Sequence, residues 1–396
     1  MESPARLELL TLRGHEGSVS AIAVTPDGRR AVSVCSDATL RVWDLDRGAE
    51  IHALKAHSRS VTAVALTPDG RAVSGSEDRT LKVWDLETGT EIHALKGHGA
   101  SVTALVVTPD GRLAASGSWD HTVRVWDLAS GRELWTLTGH TGMIGALALT
   151  PDGRCAVSGS YDGTLKVWDL ETGAELRTLA GHGGMISTIA VTPDGTRVVS
   201  GSWDDTLKVW DLDTGAELQT LAGHEGAVTA LALTPDGRRA VSGSEDCSVR
   251  VWDLGSGEQI HAMEGHKAPI SALVVTADGR RAISGSFDLT LALWDLIKGT
   301  ELQVVTGHTG AVEALSLTVD GTRLVSGSAD QTLRVWDLAA LLTRYSGGRP
   351  EGESLVDQRS GLADVNHFWG AASRPEGGPS SGPATEDPAP GSRTGA

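Results

Sequence analysis

The chain has 396 residues, of which 40% are apolar and only 4% aromatic, and it carries a formal charge of −17. The acid excess argues against nucleic acid as a partner, because phosphates require a concentrated basic footprint and none is visible. Cys35, Cys155 and Cys247 form no close pair, which argues against a disulfide framework and for a reducing compartment, so a cytoplasmic location is expected. MESPARLELL lacks a basic start and an apolar core, so no signal peptide is expected. No apolar run approaches the ~18–20 residues of a membrane span, and no membrane partner is expected either.

In chain order, the first feature is RLELLTLRGH at 6–15, an alternating segment whose significance emerges only at the other end of the chain. Residues 57–96 show the pattern that follows. VTAVALT (61–67) is β-branched and apolar, and Pro68-Asp69-Gly70 punctuates it as a hairpin turn. AVSGS (72–76), LKVWDL (81–86) and EIHALK (91–96) read as three further strands, separated by turns at Asp78-Arg79 and Glu87-Thr88-Gly89. Four short strands with a turn after each indicate an all-β closed or radial architecture.

This unit occurs eight times. A Trp-Asp pair recurs at Trp43, Trp84, Trp126, Trp168, Trp210, Trp252, Trp294 and Trp336, with a step of 42 residues everywhere except the first interval, which is 41. A histidine, preceded by Gly in all copies but the second (Ala56), recurs at His15, His57, His98, His140, His182, His224, His266 and His308. A period of about 40–45 with these marks is the signature of propeller blades. Each copy is one supersecondary unit that cannot bury its apolar face alone, so the eight should form one domain, residues 1–338.

After Leu338 the chain reads AALLTRY, with no counterpart to the fourth strand GAELRTLAG of other copies. The missing strand is at the N-terminus, where RLELLTLRGH matches GAELRTLAGH (173–182) in register. Leu7 to Leu12 is therefore expected to supply the outermost strand of the eighth blade, leaving the ring without an open seam. Copies 1, 2, 7 and 8 are the least regular: Cys35 stands at a Ser position, copy 2 is one residue short after its turn, and Ala277 and Val319 replace the turn Pro. Strain or mobility is expected to gather there. Residues 339–396 turn Gly-, Pro- and Ser-rich from about 346, a composition that cannot offset chain entropy and should be disordered. Its one aromatic island, Asn366-His367-Phe368-Trp369, reads as an unstructured fragment or, alternatively, a short docking motif.

The co-periodic GH and WD marks resemble the WD40-repeat family over roughly residues 7–338, and the near-identical copies resemble bacterial WD-repeat proteins. In those proteins such propellers are often attached to kinase or NTPase effectors; none is encoded here, so any effector would be a separate chain. The resemblance implies an eight-bladed β-propeller of four-stranded antiparallel blades, closed by the N-terminal strand. It also implies a buried hydrogen-bond tetrad in each blade. The histidines and tryptophans above are two members; the others are Ser33, Ser74, Ser116, Ser158, Ser200, Ser242, Ser284 and Ser326, with Asp37, Asp78, Asp120, Asp162, Asp204, Asp246, Asp288 and Asp330. The alternative, a hydrolytic Ser-His-Asp triad, fails because a catalytic set would not be needed eight times, each beside a Trp. The histidines are not at metal-ligand spacing, and no phosphate-binding or CxxC motif is present. No enzyme activity, metal or cofactor is expected.

If repetition marks scaffold, recognition should lie where the copies differ. The residue before the tetrad Asp is Ser36, Glu77, Trp119, Tyr161, Trp203, Glu245, Phe287 and Ala329 in turn, so four of the few aromatics outside the tetrads share one position. In the family it looks out from the top face near the central channel, beside the residue three after the repeat His. That second position carries Met143 and Met185. Trp119, Met143, Tyr161, Met185 and Trp203 thus form an arc over blades 3, 4 and 5, with Phe287 as an outlying anchor and Glu77 and Glu245 as flanking charges. The rings could instead lie flat and shield the channel mouth. Trp135, on an outer strand, is expected to be a solvated edge residue. The expected function is a non-enzymatic scaffold or adaptor, a monomeric propeller binding a protein or peptide on this face. The alternative is a small-ligand sensor using the central channel and regulating a separate effector.

Overall fold

The computed structural model describes residues 7–343. They form eight four-stranded antiparallel sheets. The first blade shows the plan: Val19–Val24, Arg30–Cys35, Thr39–Asp44 and Ala49–Lys55 follow one another outward. The innermost strand is buried throughout, whereas the outermost is mostly exposed or half-buried. Seven blades follow the chain in this way. The eighth takes Val312–Leu317, Arg323–Ser328 and Thr332–Asp337 from the C-terminal end and its outer strand, Glu8–Arg13, from the N-terminal end. Leu12 lies opposite Leu333 in that pairing, and Glu8 forms an ion pair with Arg334.

The apolar core lies between blades, because a four-stranded sheet has two faces to cover. One cluster joins Val32, Leu40 and Val42 of blade 1 to Val61, Val64 and Trp84 of blade 2. The equivalent cluster at the closure packs Leu12, Val325, Leu333 and Val335 of blade 8 on Val19, Ile22 and Trp43 of blade 1. The ring is therefore closed by hydrogen bonds along the sheet edge and by side-chain packing across the seam.

Polar bonds tie successive blades at three radii. Near the axis, Ser20, Thr62, Thr103, Ser187 and Thr229 each donate a hydroxyl to a carbonyl on the innermost strand of the next blade, at 2.5–2.7 Å, and Ser271 does the same to Val312. Farther out, Arg30, Arg71, Arg197, Arg239 and Arg323 each reach the carbonyl that follows the next blade's Trp-Asp pair. At the rim, His52, His93, Trp135, Arg177, Gln219 and His261 bond carbonyls in the next blade's outer hairpin. Trp135 is 37% exposed, as an edge residue should be, but it is not without contacts: its indole N–H donates to the Leu170 carbonyl at 3.2 Å, and its ring lies on Gly173. The position directly follows the outer-strand bulge.

All four irregular copies keep four strands. Copy 2 absorbs its missing residue in a tighter turn, with Thr67 bonding Arg71 where Thr108 bonds Leu113. Pro68, Pro109, Pro151, Pro193 and Pro235 press on the turn glycine of the next blade, so closely that an added β-carbon would sit 3.0–3.3 Å from the ring. Gly70 and Gly321 have nothing within 4 Å, because copy 2 is short and Ala277 has no ring. The departures thus cost a contact at two seams and no strand. A short helix, Leu338–Thr343, occupies the first residues of the segment expected to lack structure, with Leu338 and Leu341 buried in the cluster between blades 7 and 8. The remainder of that segment, including 366–369, lies outside the described residues.

Leu12 is the apolar anchor of the closing strand, so Leu12→Ala should destabilise the domain by about 2–5 kcal/mol. Urea unfolding of this variant checks the value, and an unchanged midpoint would show that the closing strand contributes little.

Candidate interaction surface

The repeated polar residues come together in every blade. In blade 5, the Trp210 indole donates to Ser200 Oγ at 2.8 Å, Ser200 lies 2.7 Å from His182 Nε2, and His182 Nδ1 lies 2.8 Å from Asp204. The other seven sets repeat this geometry, with His Nδ1 to Asp distances of 2.8–3.2 Å. The proton order follows from the two ends. An indole only donates, and a carboxylate that also accepts the Gly183 N–H is ionised. Ser200 therefore donates to Nε2, and Nδ1–H donates to Asp204. The serine hydroxyls are fully buried, and each accepts from the indole and gives its proton to the imidazole.

A fifth member escaped the sequence reading. Two residues after each Asp stands Thr39, Thr80, Thr122, Thr164, Thr206, Ser248, Thr290 or Thr332, whose hydroxyl donates to the carboxylate at 2.6–2.7 Å. The signal was available, because a hydroxyl residue recurs there in all eight copies. Burial raises the Asp204 carboxyl, but bonds from Thr206, His182 and Gly183 outweigh it and hold the pKa at about 2. Asp330 is held at about 2 in the same manner by Thr332, Thr309 and His308. Burial lowers His57, His140, His182 and His308, with the facing carboxylates only partly restoring them, so these rings are neutral.

His15, Cys35 and Asp37 bring three potential ligand atoms within 4.8 Å of one another. Their chemistry is nevertheless that of the tetrad. Nδ1 carries the proton given to Asp37, and burial pushes the Cys35 thiol up to about 12.

The variable positions occupy the top loops, where the backbone of the turn between second and third strands bonds the loop after the repeat His. Trp119 N donates to Ser101, Tyr161 N to Met143, Trp203 N to Met185 and Phe287 N to Pro269. The two variable positions of one blade are therefore held side by side. The expected arc is stepped in depth. Trp119 and Phe287 are each 37% exposed, while Met143, Tyr161, Met185 and Trp203 are half-buried. Tyr161 sinks because blade 4 has Gly145 where six other blades carry a Ser or Thr. A β-carbon at 145 would stand 2.9 Å from the Tyr161 ring and 2.5 Å from the Ile186 carbonyl. Trp203 leans toward that ring, with centroids 6.5 Å apart at 39°. Glu77 is exposed and Glu245 half-buried.

Leu289, also missed, stands beside Phe287 at 39% exposure. It occupies the position after the tetrad Asp, where the backbone is left-handed in every blade (Leu289 φ 74°, Gly163 φ 80°). A large apolar residue is rare in that conformation, and comparing the copies at this offset would have revealed it. The channel between the innermost strands is lined by small and apolar side chains, Ala21, Ala63, Ala104, Ala146, Ile22 and Leu105 among them, with polar surface between them, and has about 40 Å³ of free space.

A closed ring of eight repeated four-stranded blades, each with its buried polar network, defines an eight-bladed β-propeller, a fold that fits a protein-interaction scaffold role. The family described as "WD domain, G-beta repeat" matches at residues 7–44, 48–85, 89–127, 131–169, 173–211, 215–253, 257–295 and 299–337, and the chain belongs to this WD40 family. It is similar to the crystal structure of the computationally designed Ika8 protein, with a TM-score of 0.76 and 37% identity over 84% of this chain and 100% of that one. It is also 50% identical over 40 residues to the nuclear distribution protein PAC1 of Yarrowia lipolytica (strain CLIB 122 / E 150). That match spans 10% of this chain and 9% of the relative's length. WD40 propellers commonly hold proteins or peptides. No helix among the described residues is long and apolar enough to cross a membrane.

Removing the shared hydroxyl should strand both the Trp210 indole and the His182 ring. Ser200→Ala is expected to cost about 1–3 kcal/mol per stranded group in urea unfolding, whereas a loss below 0.5 kcal/mol, at the floor of an ordinary hydrogen bond, would contradict the network. His57, His140, His182 and His308 bind protons more weakly folded than unfolded, so their contribution is complete above the ordinary value of 6.5 and lost as pH falls below it. The aspartates add a second loss from 3.8 down toward about 2. Melting temperature should therefore fall from pH 7 to pH 5 and again below pH 4, and a flat profile would refute the assignment.

Proposed function

We propose that the chain is a non-enzymatic, cofactor-free scaffold or adaptor, a monomeric cytoplasmic propeller that binds a protein or peptide on its top face. The observation that carries this reading is the exposure of Trp119 and Phe287, in a chain with few aromatics, at a position that varies from blade to blade. An exposed indole beside half-buried Met143, Tyr161, Met185 and Trp203 offers the stepped apolar relief that interface centres use. Glu77 and Glu245 flank it. The chemistry elsewhere supports the same reading. The tetrad serines are fully buried with their protons given to the imidazoles, and the throat is well below the ~300 Å³ of small-molecule sites, which weighs against the sensor alternative. The acid balance leaves nucleic acid and anionic membranes as poor partners. The role in the relative's name stays with that protein, given the small shared segment.

Affinity capture from a source lysate tests the site. Trp119→Ala with Trp203→Ala should weaken capture of the wild-type partner at least about tenfold, with circular dichroism and melting unchanged, while Trp135→Ala retains it. Undiminished capture by the double variant would remove the arc.

A further inference from the structure

We infer that the partner presents a basic side chain flanked on both sides by bulky apolar ones, the basic group seated between blades 5 and 6. This rests on the top-face reading above and adds the charge and order of the bound segment. Three carboxylates stand on the top loops of these two adjacent blades, and Asp205 reaches across to the field of His224 and Asp246 on blade 6. Asp205 follows the tetrad Asp of blade 5, Glu245 precedes that of blade 6, and Glu225 follows the repeat His of blade 6. Among the described residues none of the three forms an ion pair or accepts a side-chain hydrogen bond, in contrast to Asp204 and Asp246, which their own tetrads hold. The negative charge is uncompensated. Burial and the neighbouring Asp204 and Asp246 carboxylates raise the Asp205 pKa, offset only by His224.

The flanks set the rest of the partner. On one side Trp203 shares its turn with Asp205 and leans toward Tyr161 on blade 4. On the other side blade 7 presents exposed Phe287 and Leu289. Lys267, on the loop of blade 7, is the nearest top-face cation in the repeat order, and among the described residues it forms no ion pair with the three acids. The remaining top-face bases, Arg59 and Arg79, lie on blade 2 beside Glu77. Charge complementarity therefore favours a cation here, because Glu16 on blade 1 has no aromatic residue at the neighbouring top positions, whereas this junction lies between two apolar platforms. A cationic side chain there gains attraction from carboxylates that nothing in the chain neutralises, and the rings give it walls that exclude water.

Panning phage-displayed random dodecapeptides on the immobilised full chain tests this. Selected sequences should carry Lys or Arg between bulky apolar residues. Asp205→Asn with Glu245→Gln should weaken the best selected peptide about tenfold in fluorescence anisotropy, with melting unchanged, and a rise from 0.1 M to 0.5 M salt should weaken it further. Asn tolerates the left-handed backbone at 205, so the variant preserves the turn. Selection without basic enrichment, or unchanged affinity in that variant, overturns the inference. If Trp119→Ala with Trp203→Ala still abolishes binding, only the charge assignment has failed; if it does not, the top-face reading falls as well. Tighter peptide binding after Phe368→Ala with Trp369→Ala would make the chain's own tail the occupant and overturn a separate partner.

Discussion

The structure depends on one buried relay of protons, Trp to Ser to His to Asp, repeated in every blade. A serine hydroxyl with no exposure has to satisfy an indole and an imidazole together, and only one arrangement of three strands and two loops allows it. Apolar packing between blades tolerates substitutions of similar volume, whereas a buried polar chain tolerates no slip of register. The relay therefore fixes how the third strand meets the second. It also fixes the height of both top loops, since the same Asp carboxylate accepts the N–H after the repeat His and that of the residue two beyond the Asp.

That rigidity is what makes the top face usable. Trp119, Tyr161, Trp203 and Phe287 each sit one residue from a carboxylate whose position is determined by four or more hydrogen bonds. Their backbone needs little further ordering on binding, and the entropy lost in recognition is correspondingly small. Tyr161 shows how one exception in the axial belt shapes the surface. Gly145 gives up a hydroxyl bond to the next blade, and the ring fills the place of the missing side chain. The same blade also lacks the arginine bond, since Cys155 stands where Arg197 stands in blade 5. Of the three polar ties, blades 4 and 5 keep the rim bond from Arg177 to the Asp213 carbonyl, and the Tyr161–Trp203 contact adds to it at the top.

Much of this was legible in the sequence, for a physical reason. Eight copies average away local noise, so an offset that always carries His, Ser, Asp or Trp must serve something every blade needs. The closing strand was legible because Leu9, Leu12 and Gly14 keep the register of a missing fourth strand. The threonine after each Asp carried the same signal as the tetrad and was passed over, as was the hydroxyl belt. Depth was not legible. Nothing in the string distinguishes exposed Trp119 from half-buried Tyr161, because the difference arises from Gly145, sixteen residues away and across a strand pairing. Trp135 shows a similar limit: it reads as a solvated edge residue and is exposed, but its bond to Leu170 emerges only once the next blade's hairpin is placed against it.

The central claim is that groups shared by all blades build the ring while groups unique to a few blades bind. Hydrogen–deuterium exchange of the full chain, with and without a peptide selected on it, measures both halves at once. Without peptide, the second and third strands of all eight blades should show uniformly strong protection. With peptide, new protection should appear only in the top loops of blades 3 to 7. Protection appearing instead on the opposite hairpins, or evenly around the ring, would contradict the account.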